Sequence, residues 1–241
     1  MKAYLTKEMY VGPSICDRSG KLSLPGFFLT FGDLATQHAD MLGIGLKALM
    51  PKDLFWVAVR TRLVIHDRPE LGSTVSAATW PEKPEKLKSY RNYVIESDGR
   101  IFAEAKTEWA VLNMASGRPL PAGQVFPDDI EFCEKTVDTG AFSRTKVEFP
   151  EEPFGSFKVS SADIDVGRHM NNAFYVRSIL GLFSNDELES RPPKVFEIAY
   201  RTQCYEGETV TVYAREIDGI VYLKGENEEK KLIFTAEIEY R

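Results

Sequence analysis

Phe55-Trp-Val-Ala-Val-Arg-Thr61 and Phe196-Glu-Ile-Ala-Tyr-Arg-Thr202 are the stretches from which the fold is read. Both are rich in β-branched and aromatic residues, and both end in Arg-Thr. Each stands at the head of a run of strand-like segments. Around the first, 55–67, 73–80, 88–97 and 100–113 carry period-two alternation, and turn signals separate them: Asp67-Arg-Pro, Pro81 to Pro84 and Asp98-Gly99. Around the second, 193–204, 208–216, 220–225 and 231–240 read the same way. The echoes go further. Arg68-Pro-Glu-Leu-Gly-Ser-Thr-Val75 parallels Tyr205-Glu-Gly-Glu-Thr-Val210, and Ile101-Phe102 parallels Ile233-Phe234.

Each run is preceded by a helix. In residues 27–46, Phe31, Leu34, Ala35, His38 and Leu42 form one apolar stripe, and Gly43 and Gly45 supply a stop. In the second half, Val176, Ile179, Leu180 and Phe183 fall at helical spacing over about 172–184, with Asn171 or Asn172 as N-cap. A strand over 4–15 opens the chain, and 145–162 reads as a strand region interrupted by Pro150 and Pro153. Strand, helix, then several antiparallel strands, twice over, is an α+β pattern and predicts two copies of one small domain, each sheet wrapped on its own helix. The expected division is 1–116 for the N-terminal unit, which would hold the acyl-chain pocket named below, 117–143 for a proline- and glycine-bearing linker over the surface, and 144–241 for the C-terminal, catalytic unit. The two sheets are expected to join side by side.

The chain has 241 residues, 43 % of them hydrophobic, and a formal net charge of −6. That charge argues against nucleic acid as a partner. Cys16, Cys133 and Cys204 are too scattered for a disulfide framework or a zinc site, so no metal or other cofactor is expected and a reducing, cytoplasmic compartment is. No stretch approaches the roughly 20 apolar residues of a membrane span, and the first residues lack the apolar centre of a signal peptide.

The chemistry concentrates in Asp163-Ile-Asp-Val-Gly-Arg-His-Met-Asn-Asn172, immediately before the second helix. Asp165 and His169 are expected in the loop that leads into a helix N-terminus, where outward N–H groups favour negative charge. Histidine is the side-chain type whose charge changes near neutral pH, which makes His169 the natural base. Asp165 can orient it or stabilise it once charged. Backbone N–H groups at 170–172, at Asn171 and Asn172, are candidate oxyanion donors, and Gly167 would let the main chain approach closely. The first copy begins its helix with LPGFF instead, so one kind of site per chain is expected.

These features resemble the acyl-acyl carrier protein thioesterases of plant plastids and bacteria, a family with a double hot-dog fold. The resemblance covers most of the chain: LATQHADMLGIG in the first helix, FWVAVRTRLVIHDRP with the Trp80 strand and KTEWAVLN in the first sheet, and the 163–172 stretch with Tyr175. It implies hydrolysis of fatty acyl-acyl carrier protein to free fatty acid, with acyl-CoA hydrolysis and non-catalytic acyl binding as alternatives. Asp165 and His169 match the family's catalytic aspartate and histidine. The family's asparagine between them falls on Gly167, and its glutamate and cysteine in the second copy's strand fall on Gln203 and Cys204. Gln203 keeps hydrogen bonding without charge and could position a water. Cys204 is either an alternative nucleophile or a packed strand residue. Phe31, Leu34, His38 and Trp56, with Phe27, Phe28, Met41 and Leu42, are candidates for a dry acyl slot or for plain core. An acidic carrier protein requires basic docking groups, for which Lys83, Lys86, Lys88, Arg91, Arg168 and Arg177 are candidates. A homodimer is compatible with the resemblance, although one chain already contains the paired unit.

Overall fold

The computed structural model describes residues 3–241. The chain divides into two compact units, residues 1–140 and 141–241. In the first, strand β1 (Leu5–Tyr10) leads to helix α1 (Leu24–Met41), a short α2 (Leu46–Leu49), and strands β2 (Leu54–Ile65), β3 (Thr74–Pro81), β4 (Ser89–Ser97), β5 (Arg100–Asn113) and β6 (Arg118–Leu120). The sheet runs β1-β3-β4-β5-β2, its neighbouring strands antiparallel, with β6 turned back onto β5. Helix α1 starts where Ser23 Oγ accepts from Gly26 N–H at 3.0 Å and Pro25 occupies the first turn, and it stops before Gly43, whose φ of 70° suits only a glycine at low cost. Its buried face, including Phe27, Phe31, Leu34, Ala35 and His38, packs on the sheet, with the Phe31 and Tyr93 rings 4.7 Å apart.

In the second unit, β7 (Gly155–Lys158) precedes α3 (Asn172–Leu180), α4 (Asn185–Ser190), β8 (Pro193–Tyr200), β9 (Thr209–Ile217), β10 (Ile220–Glu226) and β11 (Leu232–Tyr240). The antiparallel order is β8-β11-β10-β9-β7. Tyr175, Val176 and Ile179 of α3 are buried, and the Tyr175 ring meets those of Tyr200 and Phe234 edge-on. Phe196, Ile198, Leu223 and Ile238 are fully buried. Each unit is thus a sheet with a central helix, the hot-dog arrangement repeated along one chain.

Three sequence expectations need correction. The strand expected over 193–204 ends at Tyr200, because the Arg201 and Thr202 N–H groups both turn to the Ile233 carbonyl. Gln203 and Cys204 therefore sit in a loop, not in a strand. The segment 117–143, though largely exposed, is not separate from the first unit up to Gly140: Trp80 Nε1 donates to Lys135 O, Val137 N to Asn92 Oδ1 and Arg62 Nε to Thr139 O. Helix α4 was not expected, although Ser184 and Glu187 form a capping box that the sequence displays.

Candidate active site

The loop before α3 is built from short-range bonds. Ile164 and Met170 form an antiparallel bridge, Asp165 N–H donates to the His169 carbonyl at 3.0 Å, and Arg168 N–H to the Asp165 carbonyl at 2.9 Å. Arg168 closes the turn with a φ of 63°. Below the turn, Asp163 is buried. Its Oδ2 accepts from both Ser160 N–H and Ser160 Oγ at 2.7 Å, its Oδ1 accepts from Arg177, and its carbonyl accepts from Asn171 N–H. Burial alone would raise the Asp163 carboxyl; the Ser160 bonds and the Arg177 guanidinium outweigh it and hold the group below the usual carboxylate range. Sequence reasoning passed over Asp163. The Ser160-x-x-Asp163 spacing was the available signal.

Above that anchor, Asp165 Oδ1 accepts from Gly167 N–H at 2.7 Å. His169 is half-buried, and its Nδ1 lies 3.4 Å from the Met170 carbonyl. A carbonyl only accepts, so in that contact Nδ1 is the donor. A Cβ added at Gly167 would lie 2.8 Å from His169 Nε2 and 2.9 Å from Asp165 Oδ1. The imidazole and the carboxylate therefore converge over the one residue that has no side chain.

The expected donors at 170–172 are reduced to one. Met170 N–H is taken by the Cys204 carbonyl at 2.8 Å and Asn171 N–H by the Asp163 carbonyl at 2.9 Å. Gly167 N–H goes to Asp165, and Asn171 Oδ1 caps α3 through Ala173 N–H. Asn172 remains. Its carbonyl accepts from Tyr200 Oη, while its N–H, in the first turn of α3, and its carboxamide make no hydrogen bond among the described residues.

Cys204 is buried, its N–H donates to Tyr175 Oη at 3.1 Å, and burial, with Glu208 adding to it, pushes its thiol up to about 12 against the opposing bond from Tyr175. A thiol so held forms a thiolate poorly at neutral pH. Gln203 is exposed, and its Oε1 accepts from Tyr205 Oη at 3.2 Å. The Met170–Cys204 bond ties the 201–205 loop to the histidine's loop.

Of the acyl-slot candidates in the first unit, Phe31, Leu34 and His38 lie buried along α1. Trp56 is half-buried, donates to the Ile44 carbonyl at 3.0 Å and packs edge-on against Phe126. Met41 is 58 % exposed and lines no dry slot. The docking candidates also divide. Lys83, Lys86 and Arg168 are exposed with no acidic partner among the described residues, whereas Lys88 is paired with Glu108 and Arg177 with Asp163. Arg91 is buried and cannot meet a partner protein at the surface. No helix is long and apolar enough to cross a membrane, and among the described residues no cluster of His, Cys, Asp or Glu is placed to hold a metal ion.

Comparison with known proteins agrees with this layout. Residues 3–127 match the acyl-ACP thioesterase N-terminal domain, and residues 148–240 match the C-terminal domain of the same family. The oleoyl-acyl carrier protein thioesterase 1, chloroplastic, of Arabidopsis thaliana is 22 % identical over 78 % of this chain, and the chain spans 58 % of that relative's length. In fold, the chain is similar to an acyl-ACP thioesterase from Bacteroides thetaiotaomicron, with a TM-score of 0.90, 21 % identity and coverage of 99 % of this chain and 98 % of that one. The 12:0-ACP thioesterase from Umbellularia californica follows at a TM-score of 0.85 and 18 % identity, covering 99 % and 97 %. With family models matching both units, the chain belongs to the acyl-ACP thioesterase family.

Proposed function

We propose that this protein hydrolyses the thioester of fatty acyl-acyl carrier protein to free fatty acid, with the chemistry in the C-terminal unit. The observation that carries the reading is the convergence of His169 and Asp165 over Gly167, within a chain whose two units both match the family. His169 is the general base. Nε2 takes a proton from water as the water oxygen bonds to the thioester carbonyl carbon. Asp165 stabilises the imidazolium as it forms. The carbonyl oxygen, now an oxyanion, is received by the Asn172 N–H and carboxamide at the positive end of α3. When the intermediate collapses, the C–S bond breaks and the departing thiolate recovers the proton from His169. Gln203, held by Tyr205, is assigned to positioning the water, and Cys204 to packing.

The acyl chain is assigned to the first unit, where Phe31, Leu34 and Trp56 supply apolar surface. Acyl carrier protein is the proposed partner, and Lys83, Lys86 and Arg168 are the exposed cations offered for its acidic surface. A cytoplasmic location is proposed on the three dispersed free cysteines.

The test is kcat/KM on matched dodecanoyl esters of acyl carrier protein and of CoA. The carrier-protein ester should be used better. Equal or better use of the CoA ester contradicts the carrier assignment, and absence of turnover on either, across chain lengths, contradicts hydrolysis itself.

A further inference from the structure

Arg91 in the first unit is 6 % exposed, yet no carboxylate accompanies it. Its Nη1 lies 3.1 Å from His38 Nδ1 and 3.4 Å from Thr79 Oγ1, and these are its side-chain hydrogen-bond partners among the described residues. A guanidinium is a donor at every nitrogen, so in the Arg91–His38 contact His38 Nδ1 accepts. The His38 ring proton is then on Nε2. That nitrogen has no hydrogen-bond partner among the described residues, although His38 is only 1 % exposed. Burial, with Arg91 adding to it, lowers the His38 pKa to about 4, so the ring is neutral and donates through Nε2 at ordinary pH.

The neighbours continue the theme. Arg91 is in register with Thr107 on β5, and Thr107 with Thr61 on β2. The two threonine hydroxyls are buried and 2.9 Å apart, and Thr107 also meets the Tyr93 hydroxyl. Two residues along β5 from Thr107, and so on the same side of that strand, the buried Trp109 Nε1–H lies beside the Tyr93 hydroxyl without a well-formed hydrogen bond. The surplus in this layer is therefore of guanidinium nitrogens and an imidazole N–H around an uncompensated positive charge. An isolated buried cation costs several kcal/mol, and an orphaned buried N–H adds to that cost. Apolar surface completes the surroundings: Phe31, Leu34 and Ala35 from α1, and the ring of Tyr93 from β4, whose hydroxyl turns to Thr107 and Trp109.

We infer that the Arg91–His38 pair, under α1 in the first unit, is a binding site for a carboxylate carried on an aliphatic chain. The carboxylate supplies the missing negative charge and accepts from Arg91 and His38 Nε2–H, while the apolar residues hold the chain. A hydroxyl or an amide would leave the cation uncompensated, which is why the site selects an acid.

Binding to the whole chain decides the matter by calorimetry. Dodecanoate should bind about tenfold or more tightly than dodecanamide, which has the same chain and no charge, and Arg91→Met should erase that preference. Equal affinity of the wild-type protein for acid and amide overturns the inference, as does a preference that survives Arg91→Met. A second measurement needs no variant. In the carbon-13 spectrum, bound [1-¹³C]dodecanoate should remain ionised at about pH 5, beside Arg91, whereas a carboxyl buried without a cation is protonated there. A protonated bound carboxyl overturns the site.

Two sources present this chemistry: the released fatty acid itself, and an acyl chain with a carboxylate at its far end. Inhibition of turnover by dodecanoate but not dodecanamide identifies the first. A kcat/KM about tenfold higher for the mono-thioester of dodecanedioate than for the dodecanoyl thioester, lost in Arg91→Met, identifies the second. This last comparison rests on the hydrolysis proposed above; calorimetry and the carbon-13 spectrum do not, so the two readings can fail separately.

Discussion

Gly167 and His169 are packed so closely that a single added carbon at Gly167 would stand 2.8 Å from the imidazole Nε2. The same carbon would stand 2.9 Å from Asp165 Oδ1. Any side chain there must displace both groups to which we assign the chemistry. Gly167→Ala and Gly167→Asn are therefore expected to lower kcat, by about tenfold or more, since a misplacement near 1 Å at a reacting group costs on that scale. Steady-state kinetics with circular dichroism as a folding control measures it. A Gly167→Asn variant with raised turnover would mean that His169 and Asp165 work from positions other than those described.

Cys204 offers the sharpest test of the nucleophile. Its thiol is buried and held protonated, and its backbone rather than its sulfur ties the two loops together. Cys204→Ala should keep kcat within about threefold of wild type and cost roughly 1–2 kcal/mol of stability through lost packing. An inactive, folded Cys204→Ala, or an acyl adduct on this residue in a mass spectrum, would replace water attack with covalent catalysis.

Much of this was legible in the chain. Period-two alternation located β2 to β5 and β8 to β11 to within a few residues, because a half-buried sheet face needs that pattern. The Asn171 cap and the polar loop ahead of α3 were equally readable. What escaped depended on partners distant in sequence. Nothing local says that Met170 N–H goes to Cys204 O and Asn171 N–H to Asp163 O, so the number of open backbone donors was overestimated. Arg91 is a different case. Its alternation with the buried Tyr93 and Ile95 was the available signal, and the general exposure of arginine led to the surface reading instead.

His38 makes stability depend on pH. Its folded pKa of about 4 lies below the ordinary 6.5, so between those values the unfolded chain binds the extra proton and the folded one does not. The contribution is complete above pH 6.5 and is lost as pH falls toward 4. The depressed Asp163 carboxyl acts in the same direction at lower pH, since stability from it is lost as the folded-state group is protonated. Urea midpoints measured from pH 7.5 down to 4 should fall steadily, and His38→Gln should flatten the part between 6.5 and 4. An unchanged slope in His38→Gln would assign the acid sensitivity to other groups.

The role of His169 is tested most directly by the turnover of dodecanoyl-acyl carrier protein by wild type, His169→Ala and Asp165→Asn, each shown folded by circular dichroism. Loss of a positioned base typically costs 10²–10⁴ in rate, so His169→Ala should fall by about a hundredfold or more. Asp165→Asn should fall as well, by a smaller factor, because the carboxylate stabilises the imidazolium without taking the proton itself. A folded His169→Ala that keeps wild-type kcat would contradict the central claim, that thioester cleavage here is driven by His169 held over Gly167.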